Sequence, residues 1–166
     1  MKTTLLASLL ILATPALGDV SVVFSEGAPK DRFTLTNTSD CAIGPAKVTL
    51  DLATAPAGLI FDVTGEGAGV EVFQPFELVS GAGNVTASPS VTDGQQTLEM
   101  GLSGLGAGES VAFTIDLDDT TSDRQITVSG SEIAGTSVKI ETERLASGAV
   151  FTDKAQAVLS WSDCSS

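Results

Sequence analysis

The chain has no histidine and no tyrosine, a single tryptophan and two cysteines, and only 8 basic residues against 21 acidic ones in 166. Without histidine it lacks the commonest general base near neutral pH and the commonest transition-metal ligand. Ser-His-Asp and Cys-His catalysis are therefore excluded. Zinc and copper centres lose their usual donors as well, since two cysteines and two methionines are all that remain. Scarce Lys and Arg argue against nucleic acid, whose binding rests on neutralising phosphates, and against an anionic membrane for the same reason. Seven of the eight aromatic residues are Phe, so a sugar-cleaving cleft would lack its usual platforms. Paired carboxylates are the one catalytic device left, and the chain is expected to be non-enzymatic. No apolar run approaches the roughly 20 residues that span a bilayer. The Gly-rich "GAGES" (106–110) lacks the Lys and following helix of a phosphate-binding loop.

The N-terminus has the layout of an export signal. Lys2 supplies the positive region, Leu5 to Ala13 form an apolar stretch broken only by Ser8, and Ala16-Leu17-Gly18 offers small residues to a signal peptidase. Cleavage is expected after Gly18, with residues 19–166 forming one domain in the periplasm or outside the cell. Loss of Lys2 takes the net charge from −13 to −14. No cysteine follows the apolar stretch, so no lipid anchor is signalled. In an exported chain, Cys41 and Cys164 are expected to form a disulfide tying the C-terminal tail to an early turn. The chain-entropy estimate for so long a loop is about 5 kcal/mol at most.

Between these ends the hydrophobic period is two. Segments such as "RFTLTN" (32–37), "KVTLDL" (47–52), "GLIFDV" (58–63), "GVEVF" (69–73), "TLEMGL" (97–102), "SVAFTIDL" (110–117), "QITVSG" (125–130) and "AQAVLSW" (155–161) alternate and are rich in β-branched and aromatic residues. Gly-, Pro- and Asn-rich turns separate them. The pattern predicts an all-β protein, an antiparallel β-sandwich of immunoglobulin-like or jelly-roll-like type. Val111, Phe113, Ile115 and Leu117 should face its core, with Ala112, Thr114 and Asp116 on the other side. Phe24, Phe33, Phe61, Phe73 and Phe113 are core candidates. A short helical turn is expected within Thr142–Ala149.

Three phrases, "EGAPKDRFTLTN", "GLIFDVTGEGAGVEVFQPFELVSG" and "FTIDLDDTTSDRQITVSGSEIAGTSV", resemble small exported bacterial proteins described as aggregation factor core. They sit within a broader likeness to immunoglobulin-like surface domains, in which a turn like "LGAGES" precedes a long core strand. The resemblance implies extracellular, calcium-dependent adhesion. It identifies no binding residues.

The densest acidic stretch is "IDLDDTTSD" (115–123). Calcium takes six to eight oxygens from carboxylates, carbonyls and water, and Asp116, Asp118, Asp119 and Asp123 are the candidate ligands. The spacing is not that of an EF-hand, because Thr121 stands where Gly is needed and Thr127 where the bidentate Glu belongs. The competing reading is a solvated strand end whose charges resist edge-to-edge pairing. Glu26 and Asp31, with Asp62, Glu66 and Glu71, form two further acidic loops that would strengthen a site if they shared its end of the sandwich. Three functions therefore stand side by side. One is a calcium-dependent adhesion or surface-assembly module with a surface polysaccharide or protein as partner. The second is a carbohydrate-binding module using Trp161, and the third a structural domain with no small ligand. The sequons at Asn37 and Asn84 are read as chance occurrences.

Overall fold

A computed structural model of the chain describes residues 18–64, 74–121 and 128–162. Among them, twelve strands form two five-stranded antiparallel sheets and a two-stranded ribbon. One sheet contains β1 (Gly18–Ser25), β2 (Asp31–Asn37), β5 (Glu77–Ser80), β8 (Ser110–Ile115) and β12 (Gln156–Trp161), in the order β12-β1-β2-β8-β5. The other contains β3 (Ala46–Asp51), β6 (Val85–Ala87), β7 (Thr97–Leu102), β10 (Ser137–Glu141) and β11 (Ala146–Val150), in the order β11-β10-β3-β7-β6. The ribbon joins β4 (Leu59–Phe61) to β9 (Leu117–Asp119). The protein is thus an all-β sandwich.

Alternation builds its core. Odd residues of β2 and β8 point inward and are buried: Phe33, Leu35, Val111, Phe113 and Ile115. Register places Phe33 opposite Phe24 on one side and Phe113 on the other, with ring centroids 5.2 and 5.3 Å apart. Phe151 approaches Phe33 edge-on at 6.1 Å. Such pairs add about 0.5–1.5 kcal/mol each beyond simple burial. Phe61 is also buried, while Phe73 lies outside the described residues. Trp161, at the end of β12, is 1% exposed and pairs with Gly18.

Several local expectations are corrected. Within Thr142–Ala149 there is a turn only as far as Leu145, where the Leu145 carbonyl accepts from the Thr142 N–H at 2.8 Å. From Ala146 onward the chain is strand β11, held by register with β10. The segment 110–117 is not one strand but two, because pairing to β2 ends at Ile115 and pairing to β4 begins at Leu117. Ala112 was expected on an open face and is 5% exposed. Its strand lies between β2 and β5, so a side chain this short is shielded by its neighbours Thr34 and Ser80. Residues 128–130 are not in a strand, and 69–73 and 125–127 lie outside the described residues. So do residues 1–17, which hold most of the expected signal. Asn37 is fully buried, and its Nδ2 donates to the carbonyls of Cys41 at 2.7 Å, Leu105 at 2.9 Å and Gly106 at 3.2 Å. That nitrogen is not available for a glycan in the folded protein.

Candidate metal centre

The break between β8 and β9 creates the site. At Asp116 the chain leaves one partner strand and takes another, so its backbone groups need new partners. The Asp116 carbonyl accepts from the Asp62 N–H at 3.1 Å, extending the β4–β9 ladder by one step. The Leu117 N–H donates to Oδ2 of Asp31 at 3.3 Å, and Oδ1 of Asp31 accepts from the Gly27 N–H at 3.1 Å. Asp31 opens β2 directly opposite Ile115, so its carboxylate bridges the break.

Side-chain phase then gathers the acids. Asp116 and Asp118 lie on the same side of their strand, and Ile60 and Asp62 lie on the facing side of β4, with Ile60 opposite Asp118. Carboxylate oxygens of Asp62, Asp116 and Asp118 all come within 4.8 Å of one another. All three are buried: Asp62 and Asp118 are 1% exposed and Asp116 9%. The solvated strand end is therefore overturned. All three residues of β9 are buried, and even Asp119, in the opposite phase, is 1% exposed.

Four residues had been expected to ligate metal. The structure brings two of them, Asp116 and Asp118, into the group. Asp119 points away by alternation, and its Oδ1 accepts from the Thr121 N–H at 3.2 Å. Asp123 lies outside the described residues, as do Glu66 and Glu71. Asp62, from one of the other acidic loops, completes the group, and Asp31, from the third, lies beside it, near enough for its charge to act on Asp116.

Other neighbours lie outside the three acidic loops or were not singled out within them. Gln74 brings its side-chain amide to 3.1 Å from Oδ2 of Asp116. Lys30 pairs with Glu77 and donates to the Pro75 carbonyl at 3.2 Å, which ties the 26–31 turn to the start of β5. Asp93 clamps the chain just past Asp62, with Oδ1 accepting from the N–H groups of Val63 and Thr64, each at 2.8 Å, and Oδ2 from the Thr64 hydroxyl. The only sequence cue for Asp93 was the turn dipeptide Asp-Gly. At the far end of the ribbon, Gly58 has φ +64° and accepts from the Thr120 hydroxyl at 2.8 Å. A Cβ there would sit 2.6 Å from that hydroxyl oxygen.

The electrostatic cost is large. Two ionised carboxylates 4.8 Å apart repel by about 3 kcal/mol at an effective dielectric constant of about 20. Burial pushes Asp116 up to about 7, with the charges of Asp118 and Asp62 adding to the rise and the Leu117 N–H and Lys30 opposing it. Burial likewise pushes Asp31 up to about 7; Asp116 and Glu26 contribute, against hydrogen bonds from Gly27 and Leu117. Such a cluster is relieved either by protons or by a cation. Its donors are all oxygen, which suits a hard divalent ion, so the group can hold a metal ion.

Comparison with family models, curated proteins and solved structures finds no match to this chain in any of the three.

Proposed function

We propose that the protein is an exported, non-enzymatic domain that binds calcium at Asp62, Asp116 and Asp118 and serves adhesion or surface assembly. The observation that carries the proposal is the convergence of three buried carboxylates within 4.8 Å. Calcium is favoured over magnesium because it tolerates irregular geometry and sheds its water more readily, as a closed site demands. Asp31 sits at the margin, where its carboxylate already serves the strand break. Burial also separates this cluster from a hydrolytic pair, which must reach a substrate. The carbohydrate alternative is weakened by Trp161, which is buried in the core rather than offered to a sugar. Export, adhesion and the disulfide rest on the sequence alone.

A second reading has one observation behind it. With Asp31 and Asp116 raised to about 7, protons alone relieve part of the repulsion, as they would in a structural domain with no small ligand. Calorimetric titration at pH 7.5, paired with thermal melts, separates the two. At 100 times its dissociation constant, calcium should stabilise the fold by about 2.7 kcal/mol. The gain should disappear in Asp62→Asn and Asp118→Asn. No heat and no shift at millimolar calcium would leave the protonated cluster as the better account.

A further inference from the structure

Independently of the cation site, the outer face of the β12-β1-β2-β8-β5 sheet has an unusual charge pattern. Register sets its outward side chains in rows across the strands. One row runs from Gln156 through Val23, Thr34 and Ala112 to Ser80. The next runs from Val158 through Ser21 and Thr36 to Ser110. Neither row holds a charge, on a chain whose net charge is −13. Charges return only in the flanking rows, with Arg32 and Glu77 on one side and Asp19 on the other. The opposite sheet differs, since its outer face carries the ion pairs Lys47–Glu99, Lys47–Glu141 and Lys139–Glu141. Val23 and Val158 stand diagonally adjacent in the uncharged rows, 38% and 49% exposed.

We propose that this face docks a second copy of the same chain. Two like-charged molecules repel wherever their acidic surfaces meet, and an uncharged patch is where they approach at least cost. A two-fold interface also requires a patch complementary to itself. Hydroxyl groups meet that requirement because each both donates and accepts, and two exposed valines can cover each other. A sugar surface would instead call for exposed aromatic rings, and this face has none. Two rows about 6.8 Å deep across five strands about 4.8 Å apart give roughly 300 Å² per copy. That is less than half of the ~800 Å² per partner in a standard interface, so the dimer is weak.

Sedimentation equilibrium of the mature chain in EDTA, from 10 μM to 2 mM, tests this without involving the cation site. A monomer–dimer equilibrium should appear and strengthen between 0.05 and 0.5 M NaCl, as salt screens the residual repulsion. Val158→Lys and Thr36→Lys should each abolish it, although each makes the chain less negative overall; Thr86→Lys, on the other sheet, should not. Melting curves check that each variant is folded. A chain that stays monomeric at 2 mM in 0.5 M NaCl overturns the proposal. So does a dimer that survives Val158→Lys and Thr36→Lys, or one that Thr86→Lys weakens equally.

Discussion

In the absence of divalent cations the protein should lose stability as pH rises from about 4 to 7, the reverse of most acid-sensitive domains. Asp31 and Asp116 start from a value of 3.8 and are each raised to about 7 in the folded chain. Between these limits the folded state holds protons that the unfolded state has released. Their contribution is complete below pH 4 and is lost as pH climbs through 7. Each proton held gives a slope of about −1.4 kcal/mol per pH unit, so two give at most about −2.7. Integrated over roughly three units, Asp31 accounts for at most about 4 kcal/mol and the less enclosed Asp116 for less, against a total of about 5–15 kcal/mol for an ordinary domain. Urea denaturation in EDTA at half-unit steps from pH 4.5 to 7.5 measures it. Replacing both residues, Asp31→Asn with Asp116→Asn, should flatten the profile, since Asn stands in for the protonated form. Stability that is flat or rising from pH 5 to 7, or a slope that survives the double substitution, would refute the reasoning.

Two further outcomes are measurable, one from the geometry of the site and one from the sequence. Asp93→Ala should weaken calcium binding about 10-fold by releasing the chain beside Asp62, as loss of a supporting hydrogen-bond partner commonly does; Asp93→Asn keeps the Oδ1 acceptor and should restore most of it, and equal affinities for the two variants in calorimetry would count against the clamp. Peptide mapping of exported protein without reductant should recover Cys41 joined to Cys164, and two alkylated thiols would refute the pairing.

Local pattern was enough for the strands that alternate strongly. Val111, Phe113, Ile115 and Leu117 were readable as core because their spacing is two and their partners are apolar. β11 was not, because "ASGAV" is mostly small residues without a clear alternation, and its extended form comes from pairing with β10. β5 and β6 escaped for a related reason: each lies at the edge of its sheet, is short, and is largely exposed. The burial of the acids was the least legible feature. Asp118 is covered because it pairs with Ile60, a partner 58 positions earlier, and nothing near Asp118 announces that. Acidic composition pointed to the right three loops. The pairing of β4 with β9 sets Asp62 against Asp116 and Asp118, and that of β2 with β8 places Asp31 beside them.

The burial of Trp161 has a spectroscopic consequence. With no tyrosine in the chain, that indole is the sole strong near-ultraviolet chromophore, with no phenol to blur or transfer energy to it. It sits at the end of β12, beside the start of β1, so its emission reports the zipping together of the first and last strands. Native protein should emit at the short-wavelength end of the indole range, and a shift to longer wavelength would time the opening of that seam separately from the backbone signal of the remaining strands.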